Sequence, residues 1–159
     1  MSKNLSTFEI REILRKKYAA PEWALLEEVR NATGHSQEAR SADALAMSLW
    51  PSRGLTVHGF EIKSSRGDWQ RELKNPAKAE EISKYCDFWW VVAGGPNIVQ
   101  KSELPPTWGL LVCHSGRLNI IQDAPKLAAQ PLDRSFVAAM MRKMNDYVAQ
   151  QVRSSEGLK

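Results

Sequence analysis

The segment Asp87-Phe88-Trp89-Trp90-Val91-Val92-Ala93 constrains the fold of this chain more than any other stretch. Its nearly continuous apolar character reads as a central strand buried on both faces. The elements around it then have to supply what covers those faces. Upstream, Ile10, Ile13, Leu14 and Tyr18 form a helical stripe with charges elsewhere. Pro21 suits the first turn of a second helix carrying Trp23, Leu26 and Val29, which should stop at Asn31-Ala32-Thr33-Gly34. Residues 35–41 read as a polar loop.

From Ala42 the pattern changes to period two. Asp43, Leu45, Met47 and Leu49 fall on one face, and Ala42, Ala44, Ala46 and Ser48 on the other. The small face suggests a strand with a helix packed closely over it. A turn at 50–54 leads to a second strand from Leu55 to about Ser64. Its apolar phase slips between Val57 and Phe60, which reads as a β-bulge at Gly59. Ser65 and Asp68 are placed to cap a helix that Pro76 interrupts, and Asn75-Pro76 opens another helix ending near Tyr85. After the central strand, Gly109–Cys113 and Leu118–Ile121 make a hairpin turning at Ser115-Gly116. A last helix, about 133–151, carries Val137, Met140, Met141, Met144 and Val148 at helical spacing, read as core rather than as cofactor ligands. The order helix, hairpin, helix, strand, hairpin, helix describes an α/β domain with a mixed sheet. Residues 1–152 are expected to form this single domain and 153–159 a short tail.

Composition fits that reading. With 159 residues, 43% apolar and 25% charged, the chain can bury a core without disulfides or a structural metal. Cys86 and Cys113 lie far apart inside apolar runs, unlike a disulfide scaffold or a zinc finger, and fit a reducing cytosol. No apolar stretch approaches membrane-spanning length, and the N-terminus lacks an apolar signal region, so a cytoplasmic protein with no membrane partner is expected. A net charge of +4 permits nucleic-acid binding without establishing it.

Chemistry concentrates at Glu61-Ile62-Lys63. An acid-x-Lys triplet occurs roughly once by chance in such a composition, and it recurs here as Glu72-Leu73-Lys74. Residues two apart diverge on a helix and converge on a strand, so Glu61 and Lys63 meet whereas Glu72 and Lys74 do not. Pairing Trp50 with Leu55 sets Asp43 opposite Ile62. A bulge at Gly59 would shift this, so that Asp43 faces Lys63 and lies diagonally from Glu61, within about 5–7 Å. Two carboxylates and an ammonium in one patch suit a Mg²⁺ ion, which takes one or two carboxylates plus water and phosphate oxygens. A strand-end salt bridge is the alternative reading of the same residues.

The spacing of Asp43 and Glu61-x-Lys63 resembles the PD-(D/E)xK nuclease superfamily. The longer stretches Gly59-Phe60-Glu61-Ile62-Lys63-Ser64-Ser65-Arg66-Gly67-Asp68-Trp69 and Lys84-Tyr85-Cys86-Asp87-Phe88-Trp89 resemble the MmcB-like DNA-repair family and its phage relatives, as does Glu103-Leu104-Pro105-Pro106-Thr107-Trp108-Gly109-Leu110. The match covers about residues 28–127. It implies a restriction-endonuclease-like αβββαβ core, a mixed sheet flanked by helices, followed here by a C-terminal hairpin and helix. It also implies a Mg²⁺-dependent deoxyribonuclease, with Mn²⁺ as substitute, acting in DNA repair, recombination or phage DNA processing. Asp43 and Glu61 take the metal-ligand positions and Lys63 the catalytic lysine position. Glu28 best matches an additional acid that such nucleases often carry, with Glu27 the alternative. The proline usual before the first acid is Ala42 here. A catalytically inactive DNA-binding module with the same fold is the competing implication, and two-strand cutting would favour a homodimer.

Arg66, Arg71, Lys74 and Lys78 form a basic helical region suited to DNA phosphates, or simply a solvated face. Tyr85, seven residues after Lys78, reads as packing. His35, His58 and His114 lack metal-ligand spacing and read as ordinary.

Overall fold

Six strands form one sheet in a computed structural model that describes residues 3–30 and 41–157. In chain order the elements are α1 (Thr7–Lys17), β1 (Trp23–Arg30), β2 (Ser41–Ser48) and β3 (Val57–Lys63). Then come α2 (Arg66–Leu73), α3 (Glu80–Ser83), β4 (Phe88–Ala93), β5 (Trp108–His114), β6 (Arg117–Gln122) and α4 (Arg134–Glu156). Spatial order follows chain order. The pairs β3/β4 and β4/β5 are parallel, and the other three are antiparallel. The protein is therefore a mixed α/β structure.

Each face of the sheet is covered, which is why β4 carries no polar alternation. On one face Phe60, Trp90, Val92 and Leu111 meet Ile10 and Leu14 of α1. On the other, Leu45, Trp89, Val91 and Leu110 meet Trp69 of α2, Ile82 of α3 and Phe136 of α4. The small residues Ala44 and Ala46 belong to the α1 side, where they admit that helix closely. A capping box starts α1, with the Ser6 hydroxyl accepting from the Glu9 N–H and the Glu9 carboxylate accepting from the Ser6 N–H. Ser65 caps α2 and Asp133 caps α4. Cys86 and Cys113 are free, buried, and on opposite faces of the sheet.

Three elements depart from the sequence reading. Residues 23–30 are a strand, not a helix. Their helix-like spacing arises because Glu28 has φ 54°, which interrupts the alternation and places Leu26 and Val29 on the same face. Pro21 lies in the preceding turn, after a cis peptide bond. Gly59 is not a bulge, since β2 and β3 pair without interruption from Met47↔Val57 to Ala44↔Phe60. The apolar phase changes there because both faces are buried, and glycine is required because a Cβ would lie 2.2 Å from the Trp89 ring. In α4 the buried side is Phe136 and Ala139, with Met140 and Tyr147 packed beside them. Met141, Met144 and Val148 are exposed, so those two methionines are not core. The helix also runs on to Glu156. The expected helix stop at 31–34, the loop over 35–40 and His35 lie outside the described residues.

Candidate functional site

Ile62 points into the α1 side of the sheet, so its neighbours Glu61 and Lys63 project from the opposite face, beneath α2. The β2/β3 ladder ends at Ala44 and Phe60. Continuing its register sets Asp43 across from Glu61, two residues away from the position a bulge would have given. The strands part at this point, and the Asp43 carboxylate accepts the Ile62 N–H at 2.8 Å in place of a backbone carbonyl. The Asp43 carboxylate also lies close enough to Glu61 to oppose its charge.

Lys63 is largely buried, its side chain 10% exposed, and its amine donates to two carboxylates. One is Glu61, at 3.4 Å. The other, closer, is Glu72 of α2 at 2.9 Å. Glu72 diverges from its neighbour Lys74, as helical spacing requires, but meets Lys63 instead. The missed signal is helical: Glu72 follows the buried Trp69 by three residues and so shares its sheet-facing side.

Charge is crowded here. Burial, and then the adjacent Asp43, push the Glu61 carboxyl up to about 8, although Lys63 opposes them. For Lys63, burial works against the charged form, yet Glu61, Glu72 and Asp43 outweigh it and hold the amine above its ordinary value. At neutral pH the cluster thus combines a firmly charged ammonium with a Glu61 carboxyl that its surroundings hold largely in the protonated form.

The remaining expected site residues have other partners. Glu28 is 62% exposed at its side chain and pairs with Arg11 of α1 at 3.3 Å. The positive φ that interrupts β1 turns it away, so it does not join Asp43 and Glu61. Glu27 is held by Arg15 at 2.8 Å and by the Tyr147 hydroxyl at 3.1 Å. Arg66 is engaged rather than free: both its terminal nitrogens grip the Glu103 carboxylate, and one also donates to the Ile98 carbonyl. Trp69 Nε1 donates to the same carboxylate at 3.0 Å. Arg66 and these donors hold Glu103 down to about 2. Arg71, with a side chain 75% exposed, pairs with Asp68, and Lys74 and Lys78 are exposed. Tyr85 stacks on Phe136 and donates to Asp133, a packing role. His58 accepts from Trp90 Nε1 on Nδ1 at 3.2 Å, and burial pushes it down to about 4.

Among the described residues, no group of three or more His, Cys, Asp or Glu side chains is arranged to hold a metal. Asp43 and Glu61 could nevertheless hold a hard cation that keeps most of its water, as Mg²⁺ does. The carboxyl pair fits such an ion, because bound positive charge would oppose the burial and the Asp43 repulsion that together raise Glu61.

No family model matches the chain, and no curated protein matches it. Among solved structures it is similar to a protein of unknown function from Silicibacter pomeroyi, with a TM-score of 0.52 and 23% identity. That likeness covers 85% of this chain and 80% of the other, and it shows a shared fold. None of the described helices is long and apolar enough to cross a membrane.

Proposed function

We propose that the protein is a Mg²⁺-dependent deoxyribonuclease of the PD-(D/E)xK type, related to the MmcB-like family. The observation that carries this reading is the convergence of Asp43 and Glu61, from adjacent antiparallel strands, on one buried point beside the Lys63 amine. The element order helix, three strands, the helical segment α2–α3, strand supports a restriction-endonuclease-like core.

In this reading Asp43 and Glu61 hold the cation, which supplies Lewis acidity toward water and toward the scissile phosphate. Asp43 is oriented for this by the Ile62 N–H, and Glu61 by its place on β3. Lys63, kept charged by its carboxylate partners, orients the attacking water and offsets negative charge gathering on the phosphoryl oxygens. Burial strengthens that electrostatic effect. Arg71, Lys74 and Lys78, exposed on and just after α2, would meet the DNA backbone through its phosphates.

Labelled duplex, single-stranded and branched DNA incubated with Mg²⁺ or Mn²⁺, with EDTA as control, tests the proposal. Cleavage should require the metal. Lys63→Ala should abolish it while leaving DNA affinity nearly intact, because the ammonium acts chiefly in the transition state. Binding of DNA without cleavage under every condition would instead mark a non-catalytic module on this fold. Cleavage by Lys63→Ala at the wild-type rate would remove the lysine from the mechanism.

A further inference from the structure

Glu61 and Lys63 lie two apart on one face of β3, and nothing in the strand itself keeps their opposite charges apart. Left to themselves, they would close into a tight ion pair. The amine would then sit as a built-in counter-ion on the Asp43–Glu61 pair. The observed geometry differs: Lys63 Nζ lies 3.4 Å from Glu61 and only 2.9 Å from Glu72. The competing carboxylate comes from α2, and its side chain, 15% exposed, is nearly as sheltered as the 12% exposed Glu61.

We propose that Glu72 is a positioning residue that draws the Lys63 amine toward α2 and leaves the Asp43–Glu61 carboxylates open to a divalent cation. This deepens the nuclease reading and rests on it. Glu72 acts through Lys63 and is not itself a metal ligand. Its place in α2 ties the geometry of the site to the packing of that helix, which Trp69 anchors in the core. The local charge count points the same way. One lysine divided between two glutamates screens neither fully, so the amine does not stand as a full counter-ion on Glu61.

Mn²⁺ binding, followed by electron paramagnetic resonance of the free ion, tests this without any substrate. Glu72→Ala should weaken Mn²⁺ binding about tenfold, because Lys63 then collapses onto Glu61. Glu72→Gln keeps an acceptor oxygen at the same reach, so it should recover part of the loss; it also carries the measurement should Glu72→Ala fail to fold. In a Lys63→Ala background, Glu72→Ala should change Mn²⁺ affinity by less than about twofold, since no amine remains to be held back. Equal losses in the two backgrounds would mean that Glu72 acts as a ligand or as bulk charge, and would overturn the proposal. Wild-type affinity in Glu72→Ala would overturn it while leaving the nuclease reading standing. A wild-type protein that binds no Mn²⁺ would overturn both.

Discussion

Replacing Glu61 by glutamine isolates the electrostatic cost of the site in the metal-free protein. The folded Glu61 carboxyl titrates near 8, against an ordinary 4.5, because burial and then Asp43 oppose its charge. Folding therefore takes up a proton between those values. The stability linked to this group is complete below about pH 4.5 and is lost as pH rises toward about 8. One proton of difference is worth about 1.4 kcal/mol per pH unit, which over the whole interval sets a ceiling of about 5 kcal/mol. Water entering the cleft and readjustment of Lys63 reduce this, and about 2 kcal/mol is expected. In EDTA at pH 8, Glu61→Gln should then melt roughly 4–8 °C above wild type, at about 2–4 °C per kcal/mol for a chain of this size. At pH 5 the two should nearly coincide. Saturating Mn²⁺ should reverse the order at pH 8, because only the intact carboxyl pair gains from binding. Circular-dichroism melts from pH 5 to 8 provide the measurement. Parallel stability curves for the two proteins in EDTA would refute the claim that Glu61 is held against its charge.

Gly59→Ala should destabilise the protein by about 3 kcal/mol or more in denaturant titrations, since the added methyl meets Trp89 across two paired central strands. Retention of wild-type stability would mean that Trp89 readily moves. Arg66→Ala should lower the melting temperature by releasing Glu103 from α2, yet leave the salt dependence of DNA binding unchanged. Arg71→Ala should do the opposite, weakening DNA binding across sequences and reducing its salt slope with little change in melting. Exchanged phenotypes would reassign the phosphate contact to Arg66.

What the sequence made legible follows physical locality. The central strand β4, the β5/β6 hairpin with its Ser115-Gly116 turn, α1, and the Ser65 cap each depend on a short stretch of chain, and each could be read there. Strand β1 could not, because a single residue in the left-handed region, Glu28, converts strand alternation into a helical-looking spacing. The phase slip around Gly59 was visible, but its cause was not. That cause is the Trp89 ring, thirty residues further on. At the site, the strand-borne Asp43, Glu61 and Lys63 are reached through local register, even though the expected register is two residues out. Glu72 enters from a helix folded back over the sheet, a contact that period counting within one element cannot supply. Arg66 illustrates the converse: composition offered a free cation, and a distant carboxylate, Glu103, had already taken it.

Tyr147 of α4 spans the outer margin of the sheet. Its hydroxyl accepts the outward Glu27 N–H at 3.2 Å and donates to the Glu27 carboxylate at 3.1 Å. A margin of unpaired N–H and C=O groups is a template onto which another molecule can add a strand. Here one phenol takes up a donor on β1 while the body of α4 shields the strand. The same helix that completes the core thus also guards against self-association. Proteolytic removal of its second half would leave the central sheet intact and turn β1 into an adhesive edge, so that clipped molecules would aggregate from the native state rather than after unfolding.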